Sequence, residues 1–241
     1  VSKQFARHVF HRERSFTVSH EYRVYNCHER ADPALVKALA DVPTAIISDN
    51  LQRLESAGPR IRPLHKQGVL AGTAVTVKTR PGDNLMIHKA VDIALPGDVI
   101  VVDGAGDLTN ALIGELILRH AVGRGIAGFV VNGAARDMDY IQAADFPVYA
   151  AGITHRGPYK DGPGVVNGPI SIDGMTINPG DIIIGDIDGV VSVPRLAAEI
   201  VLKNSLAQVG RENTILAAIA TADWDRAWVD DLLRSRGCVG V

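Results

Sequence analysis

Apolar positions along this chain recur with two periods, and the alternation between them sets out the elements. Asp32-Pro33 is a helix-start signal, and Leu35, Leu39 and Val42 supply the apolar stripe that follows it. Pro43-Thr44 restarts the pattern for a second helix, Ala45 to Leu54, ended by Gly58-Pro59. Two short strand-like runs come next, Gly68 to Ala71 and Thr73 to Thr79, the latter alternating Thr and Val. A helix fits Asn84 to Ala94. Val99 to Val102 reads as a buried strand, followed by a turn at Gly104-Ala105-Gly106-Asp107 and a long segment with helical spacing. A second apolar run, Ile126 to Val131, ends at Gly133 and delivers Arg136-Asp137 onto a loop. Strand, turn, helix, strand: this is a parallel βαβ unit. Strands are then expected at Phe146 to Ala150, Ile170 to Ile172, Met175 to Ile177, Ile182 to Ile184 and Val190 to Val193, with Asp173-Gly174 as a hairpin signal. Arg195 to Ala220 is helix-patterned with a break at Gly210, and Asp225 to Arg234 forms a shorter terminal helix. The expected class is α/β, with a parallel centre and a hairpin-rich second layer.

The tripeptide Pro-Gly-Asp occurs at 81–83, 96–98 and 179–181, twice directly before an Ile/Val strand. Pro and Gly make the turn and Asp can accept a backbone hydrogen bond there. The unequal spacing makes this recurring strand-entry chemistry rather than a solenoid repeat.

Composition narrows the function classes. A net charge of −2 argues against a polyanion binder, and an aromatic content of 5% argues against base-stacking platforms, so no nucleic-acid partner is expected. The two cysteines, Cys27 and Cys238, form no CxxC pair and suit a reducing compartment. No stretch reaches the roughly 18 apolar residues of a membrane span, and no signal-type apolar region stands at the N-terminus. A cytoplasmic protein without a membrane partner is the expectation. Residues 1–31 carry four of the eight histidines (His8, His11, His20, His28) at intervals that give no metal-site spacing, and read as an irregular arm.

Two places could carry chemistry. If a helix begins after Gly114, the amides of Glu115, Leu116 and Ile117 lack intrahelical partners and form a carboxylate or phosphate site; otherwise Gly114 is a tolerated glycine within one helix. Arg136-Asp137, with Asp139 nearby, offers a carboxylate for a divalent metal beside a guanidinium for a keto oxygen or carboxylate, or else a surface ion pair. Gly104-Ala105-Gly106 imitates the start of a dinucleotide fingerprint, but the third glycine is missing and Asp107 puts negative charge where pyrophosphate would lie. A Schiff-base lysine is disfavoured, since neither Lys89 nor Lys160 has an evidently apolar setting; a loop salt bridge is the expected role of Lys160. His88 and His155 are candidate acid/base groups, but a lone histidine is more often structural, and neither joins the catalytic set.

GDVIVVDGAGDLTNALIGELI, RGIAGFVVNGAARD, RGPYKDGPG and PGDIIIGDIDGVVSVPR together resemble the RraA-like family, within it the 4-hydroxy-4-methyl-2-oxoglutarate / 4-carboxy-4-hydroxy-2-oxoadipate aldolases. The likeness covers about residues 40 to 215, with PTAIISDNL and AGTAVTVKTRPGDNLMIHKA extending it upstream. It implies a β/β/α sandwich around the central βαβ unit, followed by C-terminal helices. The division implied is an arm at 1–31, a catalytic domain at 32–220 and a helical extension at 221–241. It also implies homotrimers or hexamers with active sites between subunits.

The activity implied is that of a class II pyruvate aldolase: retro-aldol cleavage of a 4-hydroxy-2-oxo acid, helped by Mg²⁺ or Mn²⁺, with oxaloacetate decarboxylation as a related capacity. Gly114, Glu115, Leu116 and Ile117 match the segment whose amides hold the pyruvate carboxylate. Arg136 matches the residue that binds substrate and enolate, and Asp137 the direct metal ligand. Glu115 matches the acidic residues that hold water on the metal, and Glu212 a carboxylate contributed by a neighbouring subunit. The chain departs from the family at Asn132-Gly133, where Asp-Gly is usual. Some members bind ribonuclease E and inhibit it, which gives a second reading as a protein-binding regulator. Methyl transfer finds no support, because no glycine-rich SAM loop is present.

Overall fold

The computed structural model describes residues 22–27 and 29–241. His8, His11, His20 and His28 lie outside the described residues. The described part of the arm contributes β1 (Tyr22–Val24), and α1 (Pro33–Ala40) then starts where Asp32-Pro33 predicts. The Asp32 carboxylate accepts the Ala34 amide at 2.8 Å, and Pro33 sits in the first turn where no amide is needed. α2 (Thr44–Asn50) is shorter than the pattern suggests, because Gln52 and Arg53 turn left-handed at φ 57° and 62°.

After β2 (Arg62–Pro63), the two expected runs prove to be one strand, β3 (Leu70–Thr79). Gly72 does not interrupt it; a glycine is required there because a Cβ would collide with the Gly97 carbonyl oxygen. α3 (Leu85–Ile93) and β4 (Asp98–Asp103) follow as predicted. The long helical segment divides: β5 (Ala111–Ile113) precedes α4 (Glu115–Gly123). β6 (Gly128–Ala135) runs past Gly133 to the edge of the Arg136 turn. The remainder is α5 (Met138–Ala143), β7 (Val148–Ile153), β8 (Gly164–Val166), the hairpin β9 (Ile170–Ile172) and β10 (Met175–Ile177), then β11 (Ile182–Gly185) and β12 (Val190–Val193). A 3-10 turn leads into α6 (Ala198–Ala220), and α7 (Ala227–Ser235) closes the chain. α6 continues through Gly210, whose cost of about 1 kcal/mol against alanine does not end a helix of this length. No described helix is long and apolar enough to cross a membrane.

Among the described residues the main sheet runs β1-β8-β3-β4-β6-β7-β2, with β3, β4, β6 and β7 parallel. β11 pairs antiparallel with the first half of β3, β8 with its last residues, and β5 lies parallel to the end of β6. Because strand side chains alternate, the central strands feed two cores at once. Ile100 and Val102, with Phe129 and Val131, pack against α3 and α4; Val99, Val101 and Val130 pack against β9, β10 and β11. A third core joins α1, α2 and α6 to the outer side of β11 and β12. This is the expected mixed α/β architecture.

The three Pro-Gly-Asp copies each place glycine at positive φ and a buried aspartate after it. Asp98 and Asp181 use the motif alike: each accepts the amide three residues earlier, from Leu95 and Asn178, at 2.8 Å. Asp83 differs and spans two segments. The parallel centre depends on the close approach of β3 to Gly97, so Gly72→Ala should destabilise the protein by about 2 kcal/mol and lower Tm by about 4–8 °C. An unchanged calorimetric Tm would show that the strand ends are free to separate.

Candidate active site

β5 and β6 end side by side, and the two sequence candidates sit on those ends. Gly114 caps α4 in an extended conformation, so the helix does begin at Glu115. Two structural features bring Arg136-Asp137 against it. The Arg136 amide donates to Ile113 O at 3.1 Å, and Asp137 is left-handed at φ 64°, which turns its carboxylate back onto α4. Aspartate tolerates that conformation better than most residues. Asp137 Oδ2 then accepts the Glu115 amide at 2.8 Å. One of the three amides expected to be free is therefore taken, and those of Leu116 and Ile117 alone donate to no described residue.

Gly114 is needed for contact rather than for φ. A Cβ there would stand 2.5 Å from Asp137 Oδ2 and 2.9 Å from Arg136 Cγ, and one on Gly157 would stand 3.1 Å from Arg136 Nη1. The arginine thus passes between two positions without side chains. Its only charge partner among the described residues is Asp137, at a loose 3.8 Å, so most of its donors remain unspent.

Arg136 and the start of α4 line one cavity of about 90 Å³, bounded by Leu112, Gly114, Leu116, Ile117, Arg136 and Pro158, and by Asn84, His88 and Lys160; Asp137 stands behind its wall, against Gly114. The sequence brings Gly114, Leu116, Ile117 and Arg136 into view; it misses Asn84, and it raises His88 and Lys160 only to set them aside, whereas both line the cavity. Asn84 is buried, its Nδ2 donates to Leu112 O at 3.0 Å, and its Oδ1 has no partner among the described residues. A buried acceptor left without a donor is costly and marks a place for a ligand. His88 stands one turn along α3 from Asn84. Its pKa is lowered from the ordinary imidazole value, first by burial and then by the nearby Lys160 ammonium. Lys160 itself is exposed, as are Lys89 and His155, and neither Lys89 nor His155 lines the cavity.

Other expected residues stand apart. The Glu115 carboxylate turns to Arg119 at 2.7 Å and does not line the cavity. Glu212 is exposed on α6, accepting from Gln208 at 2.9 Å, and belongs to no group with the cavity residues in this chain. No cluster of three or more His, Cys, Asp or Glu able to hold a metal occurs among the described residues. Asp137 remains a hard oxygen donor with Oδ1 free of any described partner, a donor set that suits a small divalent cation keeping most of its water.

The glycine turn is not a phosphate cradle. Gly104 and Gly106 both donate to Asn132 O, and Ala105 donates to Asp103, so its amides are spent internally. Asn132 is buried beneath it, with Oδ1 on Arg60 at 3.1 Å. A larger hollow of about 340 Å³ lies beside Asp98, but that carboxylate is already engaged by Arg30 and the Leu95 amide. The smaller cavity, with unspent donors and an unspent acceptor converging on it, is the candidate site.

The α/β fold sets a helix start with two unspent amides beside an Arg-Asp pair, and comparison with known proteins gives its class. The RraA-like profile, described as Aldolase/RraA, matches residues 44–192, and the chain belongs to this family. A protein of Halalkalibacterium halodurans named "Putative 4-hydroxy-4-methyl-2-oxoglutarate aldolase" is 42% identical over 176 residues, covering 73% of this chain and 84% of that one. A solved structure of an uncharacterized protein from Pseudomonas syringae pv. tomato superposes with a TM-score of 0.71 at 28% identity, covering 82% of this chain and 96% of the other. The RNA-processing inhibitor RraA from Thermus thermophilis gives a TM-score of 0.59 at 29% identity, over 64% of this chain and 93% of that one.

Because its folded-state pKa is lowered, His88 favours the folded protein fully above about pH 6.5, the unfolded value, and that contribution is lost as pH falls through the folded pKa. In an NMR titration His88 should titrate below 6.5, and Lys160→Met should raise its pKa without restoring the free value. An unmoved pKa would separate the two residues.

Proposed function

We propose that the protein is a class II pyruvate aldolase, cleaving a 4-hydroxy-2-oxo acid to pyruvate and a second oxo acid. The observation that carries this reading is the meeting of the free Leu116 and Ile117 amides and the Arg136 guanidinium in one cavity of about 90 Å³. Two anion-binding features so close suit a small 2-oxo acid, its carboxylate at the α4 end and its oxo group at Arg136. The aldolase relative at 42% identity supports the same reading.

In the cleavage, the C4 hydroxyl loses its proton and becomes a carbonyl while the C3–C4 bond breaks. The electron pair passes to C3, and the resulting enolate oxygen lies against Arg136, whose fixed charge stabilises it more than the ground-state carbonyl. Asn84 Oδ1 and the uncharged His88, one turn apart on α3, are the acceptors available to the hydroxyl, and the imidazole is the one basic enough to keep the proton. Lys160 supplies positive charge for a second carboxylate. Protonation of the enolate at C3 then yields pyruvate. Loss of CO₂ from oxaloacetate generates the same enolate and should follow at this site.

Asp137 would hold the Mg²⁺ or Mn²⁺ ion, which when bound supplies Lewis acidity to the 2-oxo group. In this reading the assembly is a homotrimer or hexamer, and Glu212 reaches the site of a neighbouring copy. The 83% exposure of Leu116, an apolar side chain at the cavity rim, supports a covered mouth. The likeness to the Thermus RraA structure favours a second reading, a regulator that binds an RNA-processing enzyme without chemistry of its own. The free donors of Arg136 weigh for the enzyme.

With Mg²⁺ and 4-hydroxy-4-methyl-2-oxoglutarate or oxaloacetate, the protein should release pyruvate, and EDTA should stop it. Asp137→Ala should lower kcat at least 100-fold. Turnover that survives chelation contradicts the class II proposal, and folded protein releasing no pyruvate from either acid favours the regulator.

A further inference from the structure

The first Pro-Gly-Asp copy is built unlike the other two. Asp98 and Asp181 direct an oxygen back into their own turn, closing it on the amide three residues earlier. Asp83, which is fully buried, reaches outward instead. Its Oδ2 accepts the Asp161 amide at 2.7 Å, the Gly162 amide at 2.9 Å and Arg80 Nη2 at 3.2 Å, while Oδ1 accepts the Leu85 amide at 2.9 Å. One carboxylate therefore ties the start of α3 to a segment nearly eighty residues later.

That later segment carries part of the cavity wall. Pro158 and Lys160 come from it, and Asn84 and His88 come from the helix whose first amide Asp83 caps. Further bonds string the segment across the site: Tyr159 N to Gly82 O at 2.8 Å, Asn84 N to Tyr159 O at 3.0 Å, and Ala111 N to Arg156 O at 2.8 Å. Among the described residues the Asp83 carboxylate is bonded by the Arg80 guanidinium and backbone amides alone, so its charge is satisfied away from the cavity. Lys160 forms no ion pair with a described residue, and its backbone is fixed through its neighbour Asp161.

We propose, resting on the aldolase reading above, that Asp83 is a positioning residue that sets Lys160 opposite Arg136 and so fixes how the far end of the substrate is held. It touches no reacting atom. Its effect passes through the Arg156–Gly162 segment, and it therefore governs uniform binding more than the chemical step.

The test couples two variants and an exchange measurement. In the wild-type protein the Asp161 and Gly162 amides should be protected from hydrogen exchange relative to Gly157, and Asp83→Asn should speed their exchange at least tenfold. With 4-hydroxy-4-methyl-2-oxoglutarate and Mg²⁺, Lys160→Met and Asp83→Asn should each lower kcat/KM about tenfold, the loss carried by KM. In the Lys160→Met background, Asp83→Asn should change KM less than twofold further, because its action passes through the lysine. Equal losses in both backgrounds would make Asp83 merely structural and overturn the proposal. So would unprotected Asp161 and Gly162 amides in the wild type, or a Lys160→Met variant with unchanged KM; neither result requires Asp83→Asn to fold. Wild-type protein that turns over neither acid overturns the aldolase reading instead, and the clamp then stands or falls on exchange.

Discussion

The hydrogen bond from the Glu115 amide to the Asp137 carboxylate, made across a residue with no side chain, is the constraint on which the site depends. It joins the first turn of α4 to the turn after β6, and the two can approach only because Gly114 leaves the space in which Arg136 and Asp137 lie. Parallel pairing of β5 with β6 brings those ends level, and the left-handed turn at Asp137 aims the carboxylate. The arrangement keeps cation and anion 3.8 Å apart rather than in a tight pair, which leaves the guanidinium's donors for a ligand. A closer pair would be better satisfied and less useful.

The same constraint explains which chemistry the cavity can take. At about 90 Å³ it suits a small acid, and the glycine turn that imitates a nucleotide loop has spent its amides on Asn132 and Asp103. Asn132 lies under that turn, against Arg60 and Asp103. Its uncharged amide therefore acts on Arg60 and Asp103 rather than on Arg136 directly.

The strands were legible because buried parallel strands advertise themselves as continuous Val/Ile runs, and Val99 to Val102 and Ile126 to Val131 do so. β5 was hidden for the opposite reason. Three residues, Ala111 to Ile113, are too few to show a period of two, and their pairing with β6 is set by distant contacts. Gly114 was visible as a break but ambiguous, since a helix can tolerate one glycine; the collision its Cβ would make with Asp137 settles the matter and is not written locally. Asn84, His88 and Lys160 could not be assembled from spacing, because α3 and the Arg156–Gly162 segment meet only in the fold. The one local clue was Asp83, in a Pro-Gly-Asp copy followed by a helix instead of a strand. For Glu115, the direction of the carboxylate is not written in the motif; an i,i+4 arginine on the same helix decides it.

The proposed aldolase chemistry requires a pyruvate enolate to form between the α4 amides and Arg136. The most direct measurement is the exchange of pyruvate methyl protons in D₂O, followed by NMR with protein and Mg²⁺ present. The methyl signal should decay with wild-type protein and persist with Arg136→Ala. A signal that persists with wild-type protein, while pyruvate is demonstrably bound, would contradict it.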